Sequence, residues 1–357
     1  MILLHAFIRP LLTVTAATLG SLTFTSLIDC QPSLFLWDLW NRNHSKGVVS
    51  DFYKDKNVWI IGASSGIGKE MACQLARAGC SNLILSARNQ DSIAKVAQKC
   101  QQESSSKCRC HCQVLDVVSL KGADDLAARF EDILQNQLPP IPIDIVVFNS
   151  GAGQLEPSLK TKPITIQRIM DVNALWPMVL TPLLYKYNVF RPSTRPHLAV
   201  TNSIAAQLPV PLSSVYAASK AAQAQYFASL AAEQPENSLR VDVLCPGPVE
   251  TDFHQNHLKD SNNLKGRTEA NTNQEKKNRS KTKMSVERCA HLMVAAMAKR
   301  RRDAHQEIWI APSPMISVLY LQRLFPGLFQ RLTTKFGQKR VSLWKAGKDL
   351  YDPDSWK

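Results

Sequence analysis

Five short apolar runs, at 58–61, 83–86, 143–148, 198–202 and 239–244, are separated by longer stretches with helical patterning. A strand that is apolar at every position is buried on both faces, and parallel strands need a crossover of a dozen residues or more between them. The alternation therefore predicts βαβ units and an α/β fold with a doubly wound parallel sheet, spread over residues 55–312 as a single domain. Residues 104–113 are polar and read as the lead into one further short strand at Val114-Leu115.

The ends differ from this body. Within residues 1–30, Leu11 to Ile28 runs for 18 residues without a charge, about the minimum for crossing a hydrocarbon core. An uncleaved anchor and a cleaved signal peptide both fit this segment. No clean small-x-small site precedes Asp29-Cys30, which favours the anchor. Residues 31–54 carry Leu34, Phe35, Leu36, Trp37, Leu39 and Trp40 and read as an aromatic linker at a membrane interface. Residues 255–283 hold almost no apolar side chains and read as a solvated basic flap. In the extension 313–357, Ile316, Leu319, Tyr320, Leu324, Phe325, Leu328, Phe329, Leu332 and Phe336 are interleaved with Arg323, Arg331, Lys335, Lys339 and Arg340. Such a basic amphipathic pattern suits an anionic lipid surface, with a helix packed on the core as the alternative.

Charge follows the same division. The net of +14 gathers in 259–302, at +9, and in 321–348, at +7, leaving the rest at −2. Nucleic acid is not expected as a partner, because the bases are not interleaved with base-stacking aromatics on a recognisable module.

Chemistry concentrates at the ends of the predicted strands. Ile61-Gly62-Ala63-Ser64-Ser65-Gly66-Ile67-Gly68 follows the first strand and opens a helix from Lys69 to Ala78. Glycines in such a turn let backbone amides approach a pyrophosphate, whose charge the helix N-terminus favours. Tyr216-Ala217-Ala218-Ser219-Lys220 puts a phenol and an ammonium four residues apart on one helix face. A nearby cation favours phenolate, so Tyr216 could exchange a proton with a carbonyl or alcohol oxygen. Ser203 ends a strand 13 residues earlier and could hold the same oxygen.

The order of these residues resembles the short-chain dehydrogenase/reductase family over about 55–312: the glycine turn, Asp116, Asn149-Ser150-Gly151, Asn173, Ser203, Tyr216-x3-Lys220, and Pro246-Gly247-Pro248-Val249-Glu250-Thr251. The resemblance implies a Rossmann-type domain with a catalytic tetrad of Asn173, Ser203, Tyr216 and Lys220. In that family the tyrosine is the general acid/base and the serine orients the substrate oxygen. The lysine binds the nicotinamide ribose and lowers the tyrosine pKa, while the asparagine supports a proton-relay water. Cofactor binding would involve Gly62, Ser64, Ser65, Gly66, Ile67, Gly68, Arg88, Asp116, Asn149, Gly151, Tyr216, Lys220, Pro246, Gly247, Val249 and Thr251, the last at the nicotinamide carboxamide. More narrowly, Phe35-Leu36-Trp37-Asp38-Leu39-Trp40, Cys245-Pro246-Gly247-Pro248-Val249, Glu307-Ile308-Trp309-Ile310 and Lys335-Phe336-Gly337-Gln338-Lys339-Arg340, with the apolar N-terminus, resemble one branch of the family. That branch is attached to the endoplasmic reticulum membrane and reduces steroid, retinoid or xenobiotic carbonyls with NADPH. Members commonly assemble as dimers or tetramers through long helices, here about 165–190 and 214–232, so a homodimer is also implied.

Cofactor choice follows from charge. NAD-selective sites place an acid after the second strand to hold the ribose diol. Here Leu83 to Ser86 leads into Ala87-Arg88-Asn89 with no acid. Arg88 can pair with a 2′-phosphate, so NADP(H) is expected over NAD(H), with a solvated surface arginine as the alternative. Two positions depart from the family pattern. Ile61 stands for threonine, and Phe148-Asn149-Ser150-Gly151 stands for Asn-Asn-Ala-Gly. Each lost hydrogen bond is worth about 0.5–1.5 kcal/mol, so weaker cofactor affinity is expected rather than inactivity. Leu208-Pro209-Val210-Pro211-Leu212, with 253–284, would line an apolar pocket for a lipophilic substrate.

Other candidates carry less. Cys108, Cys110 and Cys112 lack the second ligand cluster that zinc requires, and at period two they share one strand face, so no metal is expected. His197 reads as an edge residue, Asp171 as a cap or solvent-facing carboxylate, and Lys299-Arg300-Arg301-Arg302 as a solvated helix end. The sequons at Asn43 and Asn278 matter only in a secretory lumen. A membrane-attached, cofactor-binding scaffold with little or no catalysis is the rival function. The two departures and the polar flap motivate it, and the intact tetrad argues against it.

Overall fold

The computed structural model describes residues 20–21, 23–44, 47–104, 108–117, 122–192, 194–236, 238–254, 283–299, 303–348, 350 and 355. Most of the expected membrane span, residues 255–282 of the flap and the Asn278 sequon lie outside them. In chain order the elements are α1 (Pro32–His44), α2 (Val48–Tyr53), β1 (Asn57–Ile61), α3 (Gly66–Arg77), β2 (Asn82–Ala87), α4 (Gln90–Glu103), β3 (Arg109–Val114), α5 (Ala123–Asp132) and β4 (Ile145–Phe148). They continue with α6 (Pro163–Met170), α7 (Trp176–Lys186), β5 (His197–Thr201), α8 (Ser214–Glu233), β6 (Arg240–Pro246), α9 (Val286–Ala298), β7 (His305–Ile310), α10 (Met315–Leu324) and α11 (Pro326–Lys345).

Side chains alternate across a strand, and this alternation sorts the strand residues between two cores. Val58, Ile60, Ile145 and Val147 join Met71 and Leu75 of α3, Val96 of α4 and Met293 of α9 on one face. Trp59, Ile61, Val146 and Phe148 join Phe130 of α5, Trp176 and Leu180 of α7 and Phe227 of α8 on the other. All seven strands are parallel, in the order β3-β2-β1-β4-β5-β6-β7. The result is the expected doubly wound, Rossmann-type sheet. Its order reverses between β1 and β4, which opens a crevice at their carboxyl ends.

Three sequence expectations change. The extra strand is β3, beginning at Arg109, not a short pair at Val114-Leu115. It is an edge strand with polar residues on its open side, while Cys108, Cys110 and Cys112 turn towards the core of α3 and α4. All nine cysteines are free thiols, and no metal-binding cluster occurs among the described residues. His197 is not at an edge. It opens β5, which pairs on both sides, and its ring meets the Asp242 carboxylate at 2.8 Å with the Arg240 guanidinium beside it. Burial and that guanidinium push the His197 pKa down. Residues 31–54 are a docked part of the domain rather than a linker, because their apolar side chains divide between core and surface. Leu34 and Tyr53 enter the core, whereas Leu36, Leu39 and Trp40 stay exposed. Cys30 bridges Ile310 antiparallel, so the N-terminal segment continues the sheet edge beside β7.

Asp171 is half-buried at the start of a π-helical turn (171–175) joining α6 to α7, and burial raises its carboxyl pKa. Lys299 ends α9 and donates to the Ser33 carbonyl. In the C-terminal extension, Ile316 and Leu319 of α10 enter the second core. No described helix is long and apolar enough to cross a membrane.

Candidate active site

The loops after β1, β4 and β6 interlock at the crevice. Gly62, at φ +97°, passes so close to the loop after β4 that a Cβ there would fall 2.6 Å from the Ser150 amide nitrogen. At Gly68 a Cβ would lie 2.1 Å from the Gly62 carbonyl, which accepts the Asn149 Nδ2 at 2.8 Å. Gly66, at φ +53°, faces the Thr251 methyl, with 3.3 Å left for a Cβ. Val249 bridges Met284, and Gly247 donates its amide to Ile310 at 2.7 Å, fixing the Pro246–Thr251 segment against β7.

The N-terminus of α3 opens into this crevice. Ser65 caps it without using its side chain, and Ser64 and Ile67 are half-buried beside it. Arg88 is exposed immediately after β2, without a partner among the described residues. Asp116 is half-buried two residues beyond β3. The open helix amides, Arg88 and Lys220 form a donor set that fits an anionic dinucleotide. Arg88 follows β2 and Asp116 follows β3, the two strands beyond β1 on that side of the sheet.

Asn173 lies in the π-helical turn and is fully buried. Its Oδ1 accepts the Ala152 amide at 2.8 Å, and its Nδ2 donates to the Ala152 carbonyl and to Ser219 Oγ, both at 2.9 Å. Ser219 in turn donates to the Tyr216 carbonyl at 2.7 Å, so Asn173 ties the loop after β4 to the helix carrying Tyr216. Gly151 sits between them: a Cβ there would be 3.0 Å from Asn173 Oδ1 and 3.7 Å from Lys220 Nζ. Lys220 is buried, with Nζ donating to the Thr201 carbonyl at 2.8 Å and to Gln223 Oε1 at 3.2 Å. Burial penalises its charge and lowers its pKa to about 8. Ser203 is buried at the end of β5, where its Oγ accepts the Ala205 amide and donates weakly to the Pro246 carbonyl.

Two contributors were not singled out in the sequence, Gln154 not at all and Phe253 only as the first residue of the range 253–284. Phe253 lies with its ring centroid 5.9 Å from that of Tyr216, inclined at 58°, and gives the phenol an apolar neighbour. Gln154, 1% exposed, uses its Oε1 to accept the Val215 amide at 3.0 Å, one residue before Tyr216. Neither belongs to a spaced motif. Only the polar character of a buried Gln154 and the proximity of Phe253 to Thr251 could have flagged them. The two departures carry a packing reason: Ile61 is buried in the second core, and Phe148 lies 5.5 Å from Trp176 and 5.4 Å from Phe227, ring to ring. Apolar contacts thus occupy the places where a hydroxyl and an amide would have bonded.

The family described as short chain dehydrogenase matches residues 56–262. The chain is 30% identical over 316 residues to human Dehydrogenase/reductase SDR family member 7, covering 88% of this chain and 86% of that protein. It is 32% identical over 295 residues to Dehydrogenase/reductase SDR family protein 7-like of Dictyostelium discoideum, covering 81% and 84%. In fold it is similar to an alcohol dehydrogenase of the archaeon Thermococcus sibiricus, complexed with 5-hydroxy-NADP, at a TM-score of 0.55 and 21% identity over 72% of this chain and 97% of the other. The matched span encloses the strand ends where the glycine turn, Asn173, Ser203, Tyr216 and Lys220 gather, and the chain belongs to the short-chain dehydrogenase/reductase family of oxidoreductases.

Proposed function

We infer that the protein is an NADP(H)-dependent oxidoreductase acting between a carbonyl and a secondary alcohol of a lipophilic substrate of steroid, retinoid or xenobiotic type. The observation that carries this reading is the packing of Gly151 between Asn173 and Lys220, four residues along the helix from Tyr216, beside the open turn of α3. When bound, the reduced nicotinamide supplies the hydride. The chain's own residues hold and protonate the substrate oxygen. Ser203 donates a hydrogen bond to it, and Tyr216 delivers the phenolic proton. The Lys220 ammonium lowers the cost of the resulting phenolate and can reach ribose hydroxyls. Asn173, whose amide is committed to Ala152 and Ser219, acts as a positioning residue. Arg88 would pair with the 2′-phosphate, as charge and the absent acid suggest, and the neighbour complexed with 5-hydroxy-NADP agrees with that choice. Thr251, placed against Gly66, would meet the carboxamide.

Phe253 beside Tyr216 suits an apolar substrate body. The apolar N-terminus and the basic C-terminal helix support attachment to an anionic membrane, which we assign to the endoplasmic reticulum, and residues 165–190, in α6 and α7, with α8 are the part through which a homodimer would form. Tyr216→Phe should abolish reduction of a panel of steroid, retinal and quinone carbonyls while leaving NADPH binding in place. Retained turnover would sink the catalytic assignment, tighter NADH than NADPH binding would sink the cofactor assignment, and no turnover by the native protein would favour the scaffold.

A further inference from the structure

The loop that leads from the Ser203 turn into the Tyr216 helix is held by the C-terminal helix. Within it, Leu212 has φ +71°, a left-handed backbone conformation that leucine rarely adopts. Neighbours on both sides over-determine it. The Leu212 carbonyl accepts the Glu156 amide at 2.9 Å, joining this loop to the one after β4. Ser213 Oγ donates to the Gln154 carbonyl at 2.8 Å, and the Gln154 side chain accepts the amide of Val215. On the other side, the Leu212 side chain is 2% exposed and packs with Leu343 of α11 and with Leu350. One residue earlier, Pro211 meets α11 at Gly337, where a Cβ would lie 3.0 Å from the proline ring. A groove of about 530 Å³ lies between loop and helix, bordered by Pro211, Thr334, Gln338 and Val341.

We propose that α11 is a wall of the substrate site: Gly337 and Leu343 clamp the loop of residues 208–213, so that Leu212, Gly337 and Leu343 determine which carbonyl substrates fit. The proposal rests on the oxidoreductase reading above. These are positioning residues, since none touches the reacting atoms. Leucine gains nothing from a left-handed backbone on its own, so a loosened helix lets the loop relax and widens or collapses the space before Tyr216. The β1–α3 turn and Lys220 lie on other elements and keep their geometry. Gly337 is the sensitive point of the helix, because any side chain there meets the Pro211 ring.

The test uses the full chain and the variants Leu343→Ala, Leu343→Met and Gly337→Val. Hydrogen exchange read by mass spectrometry compares the segments 153–157 and 208–215 with 57–62, and steady-state kinetics compare a bulky polycyclic ketone with a small aldehyde. Leu343→Ala and Gly337→Val should exchange faster in the first two segments and not in the third. They should also shift the ratio of kcat/KM between aldehyde and ketone by about tenfold through the ketone KM, with NADPH affinity preserved and Leu343→Met close to the native protein. Unchanged exchange in the two loops would overturn the clamp. Equal losses for both substrates would overturn the role in specificity. A native protein that reduces no carbonyl defeats the oxidoreductase reading, and the exchange data still decide the clamp.

Discussion

Lys220 concentrates the physical tension of the site. The residue is 3% exposed, and no carboxylate is among the groups that hold its ammonium: the Thr201 carbonyl and Gln223 Oε1 share the proton donors. Burial therefore lowers its pKa from 10.5 to about 8. The folded protein releases this proton before the unfolded chain does, so between about pH 8 and 10.5 the unfolded state binds more protons and stability rises with pH. In the protein without dinucleotide, Lys220 should thus contribute a rise on the order of 2–3 kcal/mol across that window, and Lys220→Met should remove it. Urea unfolding at pH 8 and pH 10 reads the difference directly. An identical pH dependence in native protein and variant would show that the ammonium is not held against its solvation. The same tension favours an anionic ligand, which would stabilise the charge that burial disfavours. Phe148 shows the opposite strategy at the neighbouring strand: where a polar side chain would need a partner, two aromatic rings at 5.4–5.5 Å remove the need.

Among the elements, α1 depends on one carboxylate. Asp38, 2% exposed, accepts from Arg42 on its own helix, from Arg288 Nη1 at 2.9 Å and from His291 Nε2 at 2.8 Å, the last two on α9. Burial alone would raise the Asp38 pKa, but hydrogen bonds from His291, Arg42 and Arg288 hold it well below the usual carboxylate range. Asp38→Ala leaves Arg288 with Asp29 as its remaining carboxylate and should cost about 2–3 kcal/mol of unfolding free energy. A loss below about 0.5 kcal/mol, the scale of an ordinary surface substitution, would show that α1 is not clamped there. This docking was hidden in the sequence because Phe35 and Trp37 alternate with exposed Leu36, Leu39 and Trp40, and an aromatic residue does not reveal whether protein or lipid covers it. The central strands were legible because burial on both faces leaves them mostly apolar, most fully in β1 and β4, while β6 keeps Arg240 and Asp242 paired inside. The edge strand β3 was not, because its open side carries Arg109 and a half-buried His111. Tyr216-x3-Lys220 and the glycine turn were legible as local spacings within one element. Gln154, Phe253 and Leu212 act across gaps of tens of residues, as in the bond from Val215 to Gln154, and contacts of that kind leave no spacing to read.

At the scale of the whole molecule, the apolar surface and the described N-terminal segment around Thr25 and Ser26 meet neighbouring elements. Leu328, Leu332 and Phe336 recur every four residues on the outer face of α11, each 45–54% exposed, after Leu324 and Phe325 at its start. Arg331, Lys335 and Lys339 are exposed beside them, and residues 321–348 contain no acid. The N-terminal segment reaches the domain at α10, where Thr25 Oγ1 bonds Ser317 Oγ at 2.9 Å and Ser313 donates to the Ser26 carbonyl, and it leaves Phe24 and Leu27 exposed. An apolar stripe flanked by bases matches the interface of an anionic bilayer, into which a helix sinks one face while its bases meet the headgroups. Further along the same helix Leu343 packs on Leu212, so a bilayer on this side would lie close to the loop of residues 208–213. A chain shortened by residues 1–19, so that the apolar N-terminus does not mask the helix, should sediment with phosphatidylserine vesicles and much less with neutral ones. Leu328→Ser, Leu332→Ser and Phe336→Ser together should weaken that binding by about tenfold or more, since each removes apolar area that the interface would bury. The triple variant should keep its NADPH affinity, because the three side chains are exposed and belong to neither core that packs on the sheet. Binding that survives the three substitutions, or that ignores vesicle charge, would assign this face to some other partner.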